Sequence, residues 1–185
     1  GHGAYVYDAE GNRLLDGPGG MWCVNAGHGC KEIVTAMNEQ AMRLSYTSPW
    51  SHPTEPAARL AERLASVAPG DLNNVFYATG GSTAVDSALR FVMFYNNVLG
   101  RDQKKHIISR EDAYHGSTFL SAAVSGKSRD KNWLDTHLDT VHFISSPNPY
   151  RRPDGMTVDQ FREKLVLELE EKILEVGADK VAAFI

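Results

Sequence analysis

The stretch Gly80-Gly81-Ser82-Thr83 joins a strand-like run, Asn74–Ala78, to a helical pattern that begins at Gly81. Strand, glycine pair, hydroxyl pair and helix is an order that suits a phosphate. Helix N-termini present free N–H groups and the positive end of the macrodipole. Glycine lets the backbone come close, and Ser82 and Thr83 offer hydroxyl donors. Two familiar phosphate loops are excluded. A Walker A loop needs a lysine before its hydroxyl residue, and no lysine lies here. The GxGxxG dinucleotide fingerprint is also absent, with Thr83 and Ala84 where it would need other residues. Taken alone, Gly-Gly-Ser before a helix is more often a tight cap than a phosphate cradle. A second cluster, Tyr114-His115-Gly116-Ser117-Thr118, follows another strand-like run by a short loop. Two tryptophans, Trp22 and Trp50, sit in irregular segments near the N-terminus.

The elements that must position these residues alternate in type. Ala4–Asp8 and Arg13–Asp16 read as a hairpin around the turn formers at 8–12, and 17–29 reads as irregular. Helices are expected at Lys31–Leu44, from an N-cap at Thr54 to Pro69-Gly70, at Gly81–Val98, at Ser117–Val124 and at Thr157–Val176. Strands are expected at Asn74–Ala78, His106–Ser109, Val141–Ile144 and Val181–Ile185. Such alternation implies an α/β fold with a parallel or mixed sheet. The last run, Val-Ala-Ala-Phe-Ile, is apolar enough for a central strand covered on both faces, so a continuation of the chain past Ile185 is expected. The division anticipated is an N-terminal segment, 1–53, and the first part of a larger domain, 54–185.

Bulk properties narrow the function classes. A net charge of -4 and scattered basic residues argue against nucleic acid or an anionic membrane as partner. No apolar run approaches a membrane span of roughly 20 residues, and no signal-peptide pattern opens the chain. Cys23 and Cys30 do not form a CxxC and read as reduced thiols of a cytoplasmic protein. His106, His115, His137 and His142 lack a metal-binding frame, so no metal site is expected.

Several motifs in register resemble one family. Gly80-Gly81-Ser82-Thr83-Ala84-Val85-Asp86-Ser87-Ala88-Leu89-Arg90 is similar to the phosphate loop of class III aminotransferases, which commonly reads Ser-Gly-Ser-Glu-Ala. Gly81 and Ser82 match it, while Gly80 and Thr83 depart from it. Tyr114-His115-Gly116 resembles the family's aromatic-His-Gly segment, and Gly17-Pro-Gly-Gly-Met-Trp22-Cys-Val-Asn resembles its omega-amine:pyruvate branch. The resemblance runs from Gly3 to Ile185. It implies a fold type I pyridoxal-phosphate (PLP) enzyme, present as the N-terminal segment and the first part of the large-domain sheet. It also implies a homodimer and transfer of an amino group from a primary amine to a keto acid such as pyruvate. Cofactor contacts would come from Gly80, Gly81, Ser82, Tyr114 and His115, with Tyr114 stacked on the pyridine ring and His115 orienting the loop. Substrate contacts would come from Trp22 and Trp50, the latter equally an interface anchor.

The resemblance also says what to expect elsewhere. The family's Schiff-base lysine and its ring-nitrogen aspartate follow a Glu-Pro motif after the strand that ends at Ile185. None of the eight lysines matches that position, so no catalytic residue is assigned and these 185 residues alone are expected to be inactive. Two rival readings share the sequence: an aminomutase or decarboxylase of the same fold, and a non-catalytic fragment acting as an assembly module.

Overall fold

Asp8 makes the turn of the N-terminal hairpin. Its carboxylate accepts the Asn12 N–H at 2.8 Å and the Asn12 side-chain amide at 2.9 Å. That closes β1 (Tyr5–Tyr7) against antiparallel β2 (Arg13–Leu15), with Val6 opposite Leu14. The computed structural model covers all 185 residues, Gly1–Ile185. They form two compact units, Gly1–Val75 and Phe76–Ile185. The helix that follows Thr54 lies within the first of these units.

After the hairpin the first unit continues with a four-residue turn, α1 (Gly19–Trp22), and two amphipathic helices, α2 (Lys31–Arg43) and α3 (Glu55–Val67). Thr54 caps α3, its hydroxyl accepting the Ala57 N–H at 3.4 Å, and proline occupies the first turn, where its missing N–H costs nothing.

The second unit holds the core. It is built of α4 (Gly81–Val98), β3 (His106–Arg110), α5 (Phe119–Val124), α6 (Ser128–Lys131), β4 (Val141–Ile144), α7 (Val158–Val176) and β5 (Val181–Phe184). The three strands form a parallel sheet in the order β4-β3-β5. Parallel strands need covering helices, and α4 packs on β5, α5 on β3 and α7 on β4. Every fully buried apolar side chain lies here, led by Ile107, Ile108, Val124 and Leu89. Ser109 is buried among them, and its hydroxyl donates to the Val124 carbonyl at 2.6 Å, which removes the cost of an unpaired polar group. A capping box starts α7: the Thr157 hydroxyl accepts the Gln160 N–H, and the Gln160 side chain accepts the Thr157 N–H.

Two expectations change. Asn74–Ala78 lies outside any strand: its composition suits a sheet, but no strand of the second unit is paired with it. Within these residues β3 lies between β4 and β5, and Phe184 on β5 is half exposed. The helix expected from Ser117 starts at Phe119, because Thr118 takes the extended N-cap conformation. Helix α6 and a 3-10 turn at Pro149–Arg151 carry too few residues for a periodic signal.

Candidate cofactor and substrate site

Helix α4 begins without the usual side-chain cap. Gly80 is its N-cap, in extended backbone, with no side chain to accept a first-turn amide. The Thr83 hydroxyl donates back to the Gly80 carbonyl at 2.8 Å. Nothing crowds the approach: a Cβ added at Gly81 would meet no atom within 4 Å. The first turn thus offers backbone donors and the positive end of an 18-residue helix to an incoming anion.

The loop after β3 comes to this same turn. Asp112, at φ +62°, reverses the chain. Gly116 is buried at φ +137°, where an added Cβ would lie 2.5 Å from the Ser82 hydroxyl oxygen. This close approach lets the Ser117 N–H donate to the Ser82 hydroxyl oxygen at 3.0 Å and the Thr118 hydroxyl donate to the Ser82 carbonyl at 3.2 Å. A hydroxyl has one proton and two lone pairs. Accepting from Ser117 orients the Ser82 oxygen while leaving its proton to be donated. Tyr114 is tied to the same group, its hydroxyl 2.9 Å from that of Ser117. The ring is 57% exposed, with the Lys127 ammonium 5.5 Å from its centroid.

His115 anchors the loop from behind. Its N–H donates to the Ser125 hydroxyl at 2.9 Å, and Nε2 lies 3.4 Å from the Ser109 hydroxyl. Ser109 spends its one proton on Val124, so it accepts here and His115 carries its proton on Nε2. Burial, with the Arg110 charge beside it, holds the imidazole below its ordinary pKa, in the neutral form. Ser125 donates to the Ser121 carbonyl, and the Ser121 N–H donates to Asp86 on α4, both at 2.8 Å. Asp86 and the serines at 117, 121 and 125 are the residues that motif reading left without a role. The density of hydroxyls over 117–125 was their one signal.

The structure therefore gathers Gly80, Gly81, Ser82, Tyr114 and His115 into one cluster of the second unit. Trp22 and Trp50 lie in the first unit on separate elements. Trp50 is 95% exposed, in the loop after α2. Trp22 ends turn α1, where Gly19, Gly20, Met21 and Trp22 carry φ of 58°, 59°, 58° and 67°. Left-handed backbone costs an L-residue about 1–2 kcal/mol, and at Met21 and Trp22 the bonds from the Trp22 N–H to the Pro18 carbonyl and from the Cys23 N–H to the Gly19 carbonyl offset part of it.

The family model described as "Aminotransferase class-III" matches residues 1–185. The chain belongs to the class III aminotransferases. Among curated relatives, it is 38% identical to the diaminobutyrate–2-oxoglutarate transaminase of Halomonas elongata over 189 residues, covering 100% of this chain and 40% of the relative. It is 39% identical to the putrescine–pyruvate aminotransferase of Pseudomonas aeruginosa over 186 residues, covering 99% and 40%. The omega transaminase from Pseudomonas jessenii, solved in complex with PMP, superposes with a TM-score of 0.95 at 34% identity, covering 100% of this chain and 41% of that one. This class III aminotransferase chain thus spans about two fifths of the length of the relatives it matches, and its fold is that of the fold type I transaminases. No helix in it is long and apolar enough to cross a membrane.

Proposed function

We propose that the chain forms the phosphate end of a PLP site and one wall of an amine pocket, in a transaminase that moves an amino group from a primary amine to a keto acid such as pyruvate. One observation carries this reading: Ser82, at an uncapped helix start, is oriented by the same loop that presents the Tyr114 ring. PLP is a phosphate monoester on a flat pyridine ring, so it needs an anion cradle and an aromatic face together. The residues present fit both needs. When bound, PLP supplies an electron-withdrawing ring to the reacting carbon.

The residues of this chain would act as follows. The first-turn amides of α4 and the Ser82 proton would hold the phosphate, with the helix dipole in their favour. Tyr114 would lie against the ring, a contact worth about 0.5–1.5 kcal/mol beyond area burial. His115, neutral and bonded on both sides, keeps the loop in place. Trp22 would offer its exposed indole to the apolar part of the amine, and Trp50 would line the pocket or an interface between copies. The putrescine–pyruvate relative supports the choice of amine and keto acid. A cytoplasmic homodimer is consistent with the family resemblance and with two free cysteines.

The test uses the full-length protein. Ser82→Ala removes one hydroxyl donor and the acceptor of the Ser117 N–H, so PLP affinity should fall roughly tenfold, about 1.4 kcal/mol. Tyr114→Ala should change the absorbance of the bound cofactor. Unchanged affinity and spectrum in both variants would rule the site out.

A further inference from the structure

Turn α1 has left-handed backbone, and a residue that precedes it, Asp16, ties it to the rest of the unit. A single carboxylate oxygen, Asp16 Oδ2, accepts the Gly20 N–H at 2.8 Å and lies 2.8 Å from His28 Nε2. The Asp16 carbonyl accepts the Gly19 N–H as well, at 3.1 Å. Inside the turn, the Trp22 N–H donates to Pro18 and the Cys23 N–H to Gly19. Val24 fills the space that a side chain at Gly20 would need, since a Cβ there would meet its methyl at 2.5 Å.

His28 is itself fixed. Its backbone exchanges two hydrogen bonds with Gly3, at 2.8 and 2.9 Å, beside the hairpin. Both side chains of the pair are largely covered, at 24% and 13% exposure for His28 and Asp16. The His28 bond, then the Gly20 amide, holds the Asp16 carboxyl below the ordinary carboxylate range, so it is charged at neutral pH. Asp16 and His28 thus close the segment 16–28 at its two ends, and Trp22 stands in the middle of it. Left-handed backbone at Met21 and Trp22 runs against their residue preference. The bonds inside the turn close it, and the clasp ties that closed turn to the hairpin side of the unit through Gly20 and His28.

We propose that Asp16 and His28 are positioning residues that fix the orientation of Trp22 and thereby set which amines are accepted. This rests on the reading of Trp22 as a pocket residue. Neither residue touches substrate in this account; both act through the turn.

The experiment is steady-state kinetics of the full-length enzyme on small and bulky amines, with PLP affinity measured in parallel. His28→Ala and Asp16→Ala should raise KM for bulky amines on the order of tenfold. PLP affinity should stay within about twofold of the parent. His28→Gln should restore most of the effect, because its side-chain amide places a donor near the position of Nε2. In a Trp22→Ala background the His28→Ala effect should vanish, since the turn no longer carries the indole. The proposal is overturned if Trp22→Ala alters amine selectivity but His28→Ala does not. It is also overturned if the clasp variants lose PLP affinity along with KM, which marks general unfolding. Unchanged selectivity in Trp22→Ala would instead remove the pocket reading itself.

Discussion

Gly116→Ala probes the joint between the two halves of the cofactor cluster. At φ +137° an L-residue costs about 1–3 kcal/mol. The new Cβ would also sit 2.5 Å from the Ser82 and Ser121 hydroxyl oxygens and 2.8 Å from Ser82 Cα. The Ser82 backbone is part of α4 and cannot yield, so the loop must move away. It then loses the Ser117 N–H bond to Ser82 and the Thr118 bond to its carbonyl, each about 1 kcal/mol. Two such bonds amount to about 2 kcal/mol, or roughly a 30-fold loss of PLP affinity if the cluster binds the cofactor. Equilibrium dialysis of PLP against the full-length protein measures this, with far-UV circular dichroism as the check on folding. Because both changes break the Ser117–Ser82 bond, the loss in Gly116→Ala with Ser82→Ala should be less than the two single losses combined. A folded Gly116→Ala protein that binds PLP within twofold of the parent refutes the reasoning.

Two further outcomes concern the scaffold behind the site. Asp86→Ala leaves the fully buried Ser121 without the acceptor for its N–H, which should cost about 1–3 kcal/mol; a thermal midpoint equal to the parent's would show that the bond carries no weight. His115 is neutral in the folded state and has a pKa below the ordinary 6.5. The unfolded chain takes up this proton first as pH falls, so stability should decline below about 6.5 and His115→Gln should flatten that decline. His142, also lowered by burial, adds a slope of the same sign. The comparison is therefore of slopes in urea titrations, and identical slopes would contradict the assignment.

What the sequence made legible was local. Thr157 with Gln160, Thr54 with the proline after it, and the turn formers at 8–12 announce their elements because the bonds they make span three or four residues. Glycine, serine and the apolar run around 80–90 located the start of α4 for the same reason. Pairing is another matter. Asn74–Ala78 has strand composition, but a strand exists only beside a neighbour. The bond between Ser117 and Ser82 spans 35 residues, and that between His28 and Asp16 spans 12. Tertiary packing makes both, and no residue type announces either. Positive φ at Met21 and Trp22 runs against the preference of those residue types, so no propensity argument reaches it.

A glycine N-cap leaves α4 unfinished at the end that matters. A serine or aspartate at position 80 would complete the helix from within, whatever the solution contained. With Gly80 there, the completing acceptor comes from outside the chain, from water or an anion, and an anion that binds becomes part of the secondary structure. Occupancy and helix order are then linked: an anion at a hundred times its dissociation constant stabilises the folded form by about 2.7 kcal/mol. Amide exchange at Gly81, Ser82 and Thr83 should report that linkage directly, slowing as phosphate or PLP is added. If the turn holds PLP, the supply of cofactor during synthesis sets how firmly the first turn of α4 is formed, as well as whether the site is filled.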